Sequence, residues 1–143
     1  MSTVSQIADA VVARLRTVKP ANGYTSDLSS AVGLYRRTPL AGSETLVVFV
    51  NHGSKSNPSG SEFGLLRREL PVVAMVVAKG TNADTVVHNA IREIENAFRA
   101  DPRLGGLARF CTYDYSGHEF DQAEKKEAWQ SITINVTFTE STV

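Results

Sequence analysis

A single cysteine, Cys111, stands among 143 residues. One thiol excludes an intrachain disulfide and any thiolate-rich zinc site, and it fits a reducing compartment. An excess of either charge is missing too, because 15 Lys and Arg balance 15 Asp and Glu. Phosphate neutralisation and polybasic membrane anchoring both need a basic surplus, so the balance argues against a dedicated nucleic-acid binder and against such an anchor. Neutrality leaves little self-repulsion, which suits a chain that associates. No stretch approaches the roughly 20 apolar residues of a membrane helix. The start, Met1-Ser2-Thr3-Val4-Ser5-Gln6, has neither the basic opening nor the apolar run of a signal peptide. The expectation is a protein made in a cytoplasm.

What is present suffices for one domain with a core of its own. A chain of this length buries roughly 68–70% of its unfolded surface, and 42% of its residues are hydrophobic. Val4, Ile7, Ala8, Val11, Val12, Leu15 and Val18 recur at helical spacing and predict a helix over 4–18. Thr3 with Gln6 has the capping-box pattern at its start, and Pro20 and Gly23 stop it. Residues 31–38 predict a strand, and 45–50, Thr-Leu-Val-Val-Phe-Val, a second one. Their short separation suggests a hairpin.

Residues 51–62 have no large apolar side chain, which predicts a long mobile loop. Strand character returns over 65–79, with Pro71 as an expected break. The apolar run Val72–Ala78 predicts a central strand buried on both faces. Ala83, Val86, Val87, Ala90, Ile91, Ile94, Ala97 and Phe98 form one stripe of a second helix, with a capping-box-like start at Thr81–Asp84. Strands over 108–115 and 128–139 follow, separated by a polar loop at 116–122. In the last strand Ile132, Ile134, Val136 and Phe138 alternate with Ser131, Thr133, Asn135 and Thr137, so one face is core and the other is wet or meets a partner. The fold class is α+β, a mixed, mainly antiparallel sheet with two helices on one face.

Residues able to do chemistry are few and scattered. Asp114, His118, Glu119 and Asp121 could form a metal site or an acid–base pair, but Ser116-Gly117 makes a polar hairpin loop the simpler explanation. His52 lies close in sequence to Ser54 and Ser56, and with Asp27 a nucleophile–base arrangement is conceivable. No Gly-x-Ser-x-Gly elbow exists, and Gly53-Ser-Lys-Ser56 lacks the glycines of a phosphate loop. His88 reads as a helix-surface residue and Cys111 as a small core residue. No catalytic, cofactor or metal residue is therefore expected. Arg36-Arg37 and Arg67-Arg68 are adjacent cations whose neighbours point to opposite faces of a strand. They are either solvated edge charges or contacts to another chain or to DNA.

The order of elements resembles the tail terminator family (tail completion, minor tail protein U-like) of long-tailed bacteriophages. The likeness covers most of the chain: the helix Ile7–Val18, a strand pair, the strand Leu70-Pro-Val-Val-Ala-Met-Val-Val-Ala78, the helix Ala83–Phe98 followed by Asp101-Pro-Arg-Leu-Gly-Gly106, and the closing strand Trp129–Thr139. The resemblance implies a non-enzymatic structural protein of the virion's tail–neck region, assembled in the host cytoplasm without a cofactor. It implies a hexameric ring that caps the finished tail tube, stops polymerisation and meets the head connector or head-closure protein, with genomic DNA passing through the lumen without sequence-specific binding. Candidate interaction residues are then Arg36, Arg37, His52, Lys55, Arg67, Arg68, Thr133, Asn135 and Thr137. The rivals are another phage neck component (a head-closure or connector protein), a ligand-binding module, and a small cytoplasmic enzyme built on His52 and the Asp114–Asp121 loop.

Overall fold

The computed structural model describes residues 3–29, 32–34, 46–54, 61–62, 65–117, 119–121 and 127–141. The first helix, α1, spans Val4–Leu15, and its capping box is complete. The Gln6 N–H donates to Thr3 Oγ1 at 3.2 Å and the Thr3 N–H to Gln6 Oε1 at 2.9 Å. The α-helix ends three residues before the apolar pattern does. Thr17 and Val18 donate to the carbonyls three residues back, at 3.1 Å each, so the last turn tightens while Val18 stays in the core.

Four strands follow before the second helix. β1 is Val32–Leu34, β2 Leu46–His52, β3 Ser61–Glu62 and β4 Leu65–Lys79. β1 and β2 run parallel, Val32 opposite Val48 and Leu34 opposite Val50, and not as the expected hairpin. A parallel pair needs a crossover of about a dozen residues. Residues 35–45, outside the described residues, are a stretch of about that length. The segment expected to be a loop is shorter than 51–62, because Asn51 and His52 pair with Val73 and Val72, and Ser61 and Glu62 with Leu66 and Leu65. Residues 55–60 lie outside the described residues.

Pro71 does not break β4. It pairs with Asn135 on one side, and on the other its carbonyl accepts the Gly53 N–H at 2.9 Å, one residue beyond the end of β2. The donor that proline lacks is thus missing where the β2 ladder stops.

α2 spans Ala83–Ala100. Its N-cap is Asn82 and makes no side-chain hydrogen bond, so the expected capping box at Thr81–Asp84 does not form; Asp84 still complements the first-turn dipole. The chain then enters β5, Phe110–Tyr115, β6, Glu119–Asp121, and β7, Glu127–Ser141. β6 lies within the expected polar loop and pairs with Trp129–Glu127 of β7.

The fold is α+β, with sheet order β1-β2-β4-β7-β5 and both helices on one face. β4 is central as expected. Leu70, Val72, Ala74, Val76 and Ala78 of β4 and Ala128, Ile132, Ile134, Val136 and Phe138 of β7 are buried beneath Ile7, Val11 and Leu15 of α1 and Val87, Ala90, Ile94 and Phe98 of α2. The other face is not wet throughout: Val47 and Val77 are buried, and Val73 and Met75 half-buried.

Candidate interaction surface along the β5 edge

The alternation in β7 places Ser131, Thr133, Asn135 and Thr137 on the helix-free face. Thr133 and Asn135 are half-buried there. Asn135 Nδ2 donates to Asp114 Oδ2 at 2.8 Å, which ties this amide to the neighbouring strand. Thr137 does not belong to the open surface. It stands between Glu69 of β4 and Phe110 of β5 in one cross-strand row and is only 5% exposed.

β5 ends the sheet, with β7 as its partner among the described strands. The Ser116 N–H donates to Ser131 O at 3.0 Å. Bonded pairs alternate along an antiparallel ladder, so the backbone groups of Cys111, Tyr113 and Tyr115 turn outward from β7. Residues 110–115 contain no Lys, Arg or Pro, the residues that commonly blunt an edge. Phe110 is 48% and Tyr115 46% exposed, one at each end of the strand. Tyr115 donates its phenol to Glu95 of α2, which also pairs with Arg99 at 3.3 Å. Burial first, and then this carboxylate, holds the Tyr115 phenol well above its ordinary range.

At the start of β5 the Arg109 N–H donates to Thr137 O at 2.7 Å, although Phe110 is the ladder partner of Thr137. Two residues thus oppose one, a β-bulge that re-aims the strand's first side chains. The approach to it is tightly wound. Leu104, Gly105 and Gly106 all have positive φ, at 49°, 70° and 97°. Leu104 holds this unfavourable backbone because its side chain is buried in the core. The Ala108 N–H closes the turn on Arg103 O at 2.9 Å, and the Gly105 N–H donates to Asp101 Oδ1 at 3.2 Å.

The motif Asp101-Pro-Arg-Leu-Gly-Gly106 therefore folds Arg103 back beside Arg109. With Arg67 of β4, Gly106, Ala108 and Phe110 they line a cleft of about 460 Å³. All three arginines are exposed. Among the described residues no carboxylate lies within ion-pair distance of any of them. Arg67 had been singled out with Arg68, which is half-buried on the opposite side of β4. Arg103 and Arg109 were missed. Their signal is three arginines against one acid over 99–110.

The remaining candidates do not assemble into a reaction centre. His52 Nδ1 lies 2.9 Å from Gly53 O, and Ser54 is exposed nearby. Asp27 is engaged elsewhere, accepting from the Ser29 N–H at 3.0 Å and from Ser29 Oγ at 2.6 Å, bonds that hold its carboxyl below the usual range. Burial, helped by the Asp101 charge, pushes the Cys111 thiol up to about 11, so the sulfur stays protonated at neutral pH. His88 is exposed on α2. Among the described residues no group of three or more His, Cys, Asp or Glu could hold a metal ion. Arg36, Arg37, Lys55 and His118 lie outside the described residues. Compared with known protein families and curated proteins, the chain matches none of the family models and none of the curated sequences.

Proposed function

We propose that this protein is a structural, non-enzymatic phage protein that closes as a hexameric ring on the finished tail tube, stops further polymerisation and joins the tail to the head connector. In this role it belongs to the tail–neck region of the virion, assembles in the host cytoplasm, and lets genomic DNA through its lumen without sequence-specific binding. The observation that carries the proposal is the β5 edge, which has no second strand partner among the described residues, with outward backbone groups at Cys111, Tyr113 and Tyr115 and exposed Phe110 and Tyr115 at its ends. An edge of this kind left bare invites unwanted pairing, so it implies a partner chain that covers it. The resemblance supplies which partners: tube protein, connector and neighbouring copies. Its residues fall on α1, β4, α2, the Leu104–Gly106 turn and β7.

The test is a reconstruction of phage tail ends with this protein bound. Six copies at one tube terminus support the role. Copies spread along the tube, or none on tails, overturn it.

A further inference from the structure

We infer that the β5 edge and the Arg67–Arg103–Arg109 cleft form one site, which takes an extended acidic segment of a partner protein, added antiparallel to β5 with its carboxylates in the cleft. The inference rests on the reading above, that a partner chain covers this edge, and adds the chemistry of that chain.

Among the described strands β5 has β7 alone as its neighbour. Phe110, Thr112 and Asp114 direct their backbone groups to β7, in the phase set by the Ser116 bond to Ser131. Cys111, Tyr113 and Tyr115 direct theirs outward. Each can exchange two bonds with one residue of an added antiparallel strand, so about six bonds are on offer. The three residues lie within about 13 Å at roughly 3.3 Å per residue, the reach of one short extended segment.

The same edge begins at the cleft. The bulge of Arg109 and Phe110 opposite Thr137 brings both residues to the cleft wall, where Arg103 and Arg67 join them. Among the described residues none of the three guanidinium groups has an ion-pair partner. Like charges so grouped repel until an anion seats between them, and the guanidinium fork matches a carboxylate at two points. Asp114 does not serve as that anion. It accepts from Asn135, and four residues of strand, about 13 Å, separate it from Phe110, more than the Debye length of about 8 Å.

The edge is therefore polar along its length. The Phe110 end carries the arginines, and the Tyr115 end carries Asp114 and Glu95, the latter paired with Arg99. The acids of a ligand belong at the Phe110 end. Antiparallel pairing puts the ligand's C-terminal end there, so its last acidic side chains, and a free terminal carboxylate, meet the same arginines. They follow the ligand residue that pairs with Cys111, because the next two positions stand opposite Phe110 and Arg109. Phe110, exposed on the cleft wall, supplies an apolar anchor beside the charges. A nucleic-acid strand fits less well. It offers no row of amides for Cys111, Tyr113 and Tyr115. Glu69 is exposed in the same cross-strand row as Phe110, and the chain has no net basic charge to follow a phosphate backbone.

The experiment reads the fluorescence anisotropy of labelled peptides on the full chain, with circular dichroism to confirm that variants fold. The probe is five alternating threonines and valines, then two aspartates and a free carboxylate. It should bind with a Kd below about 1 mM and more weakly as salt rises. Each of four changes should weaken binding at least about tenfold: lysines for the aspartates, the aspartates moved to the N-terminal end, a proline at the third position opposite Tyr113, and Arg103→Glu with Arg109→Glu in the protein. No binding at about 1 mM overturns the inference. So does a proline peptide that binds like the probe, which would leave a charged cleft without strand addition. Unchanged binding to Arg103→Glu with Arg109→Glu, an oligothymidylate that binds the parent more tightly than the probe, or self-association that the probe does not displace overturns it too. The two proposals fail separately. Six copies on tail ends with no peptide binding leave tube capping standing and remove this segment. Specific peptide binding with no copies on tails does the reverse.

Discussion

Arg14 of α1 donates from Nε to the backbone carbonyl of Ala97 at 2.7 Å. Ala97 lies in the last turn of α2, where four carbonyls have no partner within the helix. One helix thus caps another, and the cation also complements the negative end of the α2 dipole. This bond ties α1 to the C-terminal end of α2, from which the chain leaves for the Arg103 turn.

Arg14→Ala should lower stability by about 1–2 kcal/mol, the worth of a charge-assisted bond to a partly buried acceptor. Arg14→Lys should recover only part of the loss, because an ammonium cannot copy the fixed direction of Nε. Urea unfolding of the three proteins measures the differences. An unchanged midpoint for Arg14→Ala would show the cap to be ornamental.

Glu93 is 5% exposed on α2, yet its carboxylate is fully occupied. It accepts the Thr25 N–H at 2.8 Å, the Ser26 N–H at 3.2 Å, Ser26 Oγ at 3.1 Å and Thr25 Oγ1. Glu93→Ala would strand these donors and should cost about 3 kcal/mol. Glu93→Gln keeps one acceptor but turns an amide donor toward the others, and should fall between. Chemical denaturation of each variant checks the order.

The Ile91 side chain is buried under the α2 stripe while its neighbour Arg92 is exposed. Ile91→Asp should therefore cost several kcal/mol and leave the protein unfolded or aggregated. Arg92→Asp, one residue on, should stay within about 0.5 kcal/mol of the parent. Equal melting temperatures for the two would contradict the facing of α2.

Alkaline pH should destabilise the fold through Cys111 and Tyr115. Both have native pKa values raised above their ordinary ones, Cys111 to about 11. The unfolded thiol ionises first, near about pH 8.5, while the native one keeps its proton. The contribution is whole below that pH and is lost as pH rises toward 11. Alkylation of Cys111 in the folded protein should be slow at neutral pH and rise about tenfold per pH unit up to the native value. A rate already level by pH 9 would show a thiol not held by burial.

The long periodic elements were legible in the sequence because their signal is local. Thr3 and Gln6 mark the start of α1, and the stripe from Ala83 to Phe98 gives α2 and its facing. The alternation from Ile132 to Phe138 gives both faces of β7. What was not legible depends on distant partners. The three described residues of β1 carry no mark of strand direction, and only their pairing with Val48–Val50 shows it to be parallel. Pro71 looked like a break because nothing local says that β2 ends opposite it. Nothing local marks Glu93 as buried, because Thr25 and Ser26, which supply its bonds, lie far away in sequence. The arginine cleft is the extreme case, since Arg67, Arg103 and Arg109 meet only through a bulge and a turn of positive φ.

β7 is the last element of the described chain, and it pairs with the central strand β4 on one side and with β5 and β6 on the other. The sheet is thus threaded through its middle by the last of the described strands. During synthesis α1, α2 and the earlier strands must wait, with Leu70–Ala78 and the α2 stripe uncovered, until residues 127–141 leave the ribosome. Such a chain gains its stability late and all at once, and until then it is the kind of nascent chain that calls on chaperones. Until β7 docks, β4 lacks its partner on that side, and β5 and β6 have none among the described strands.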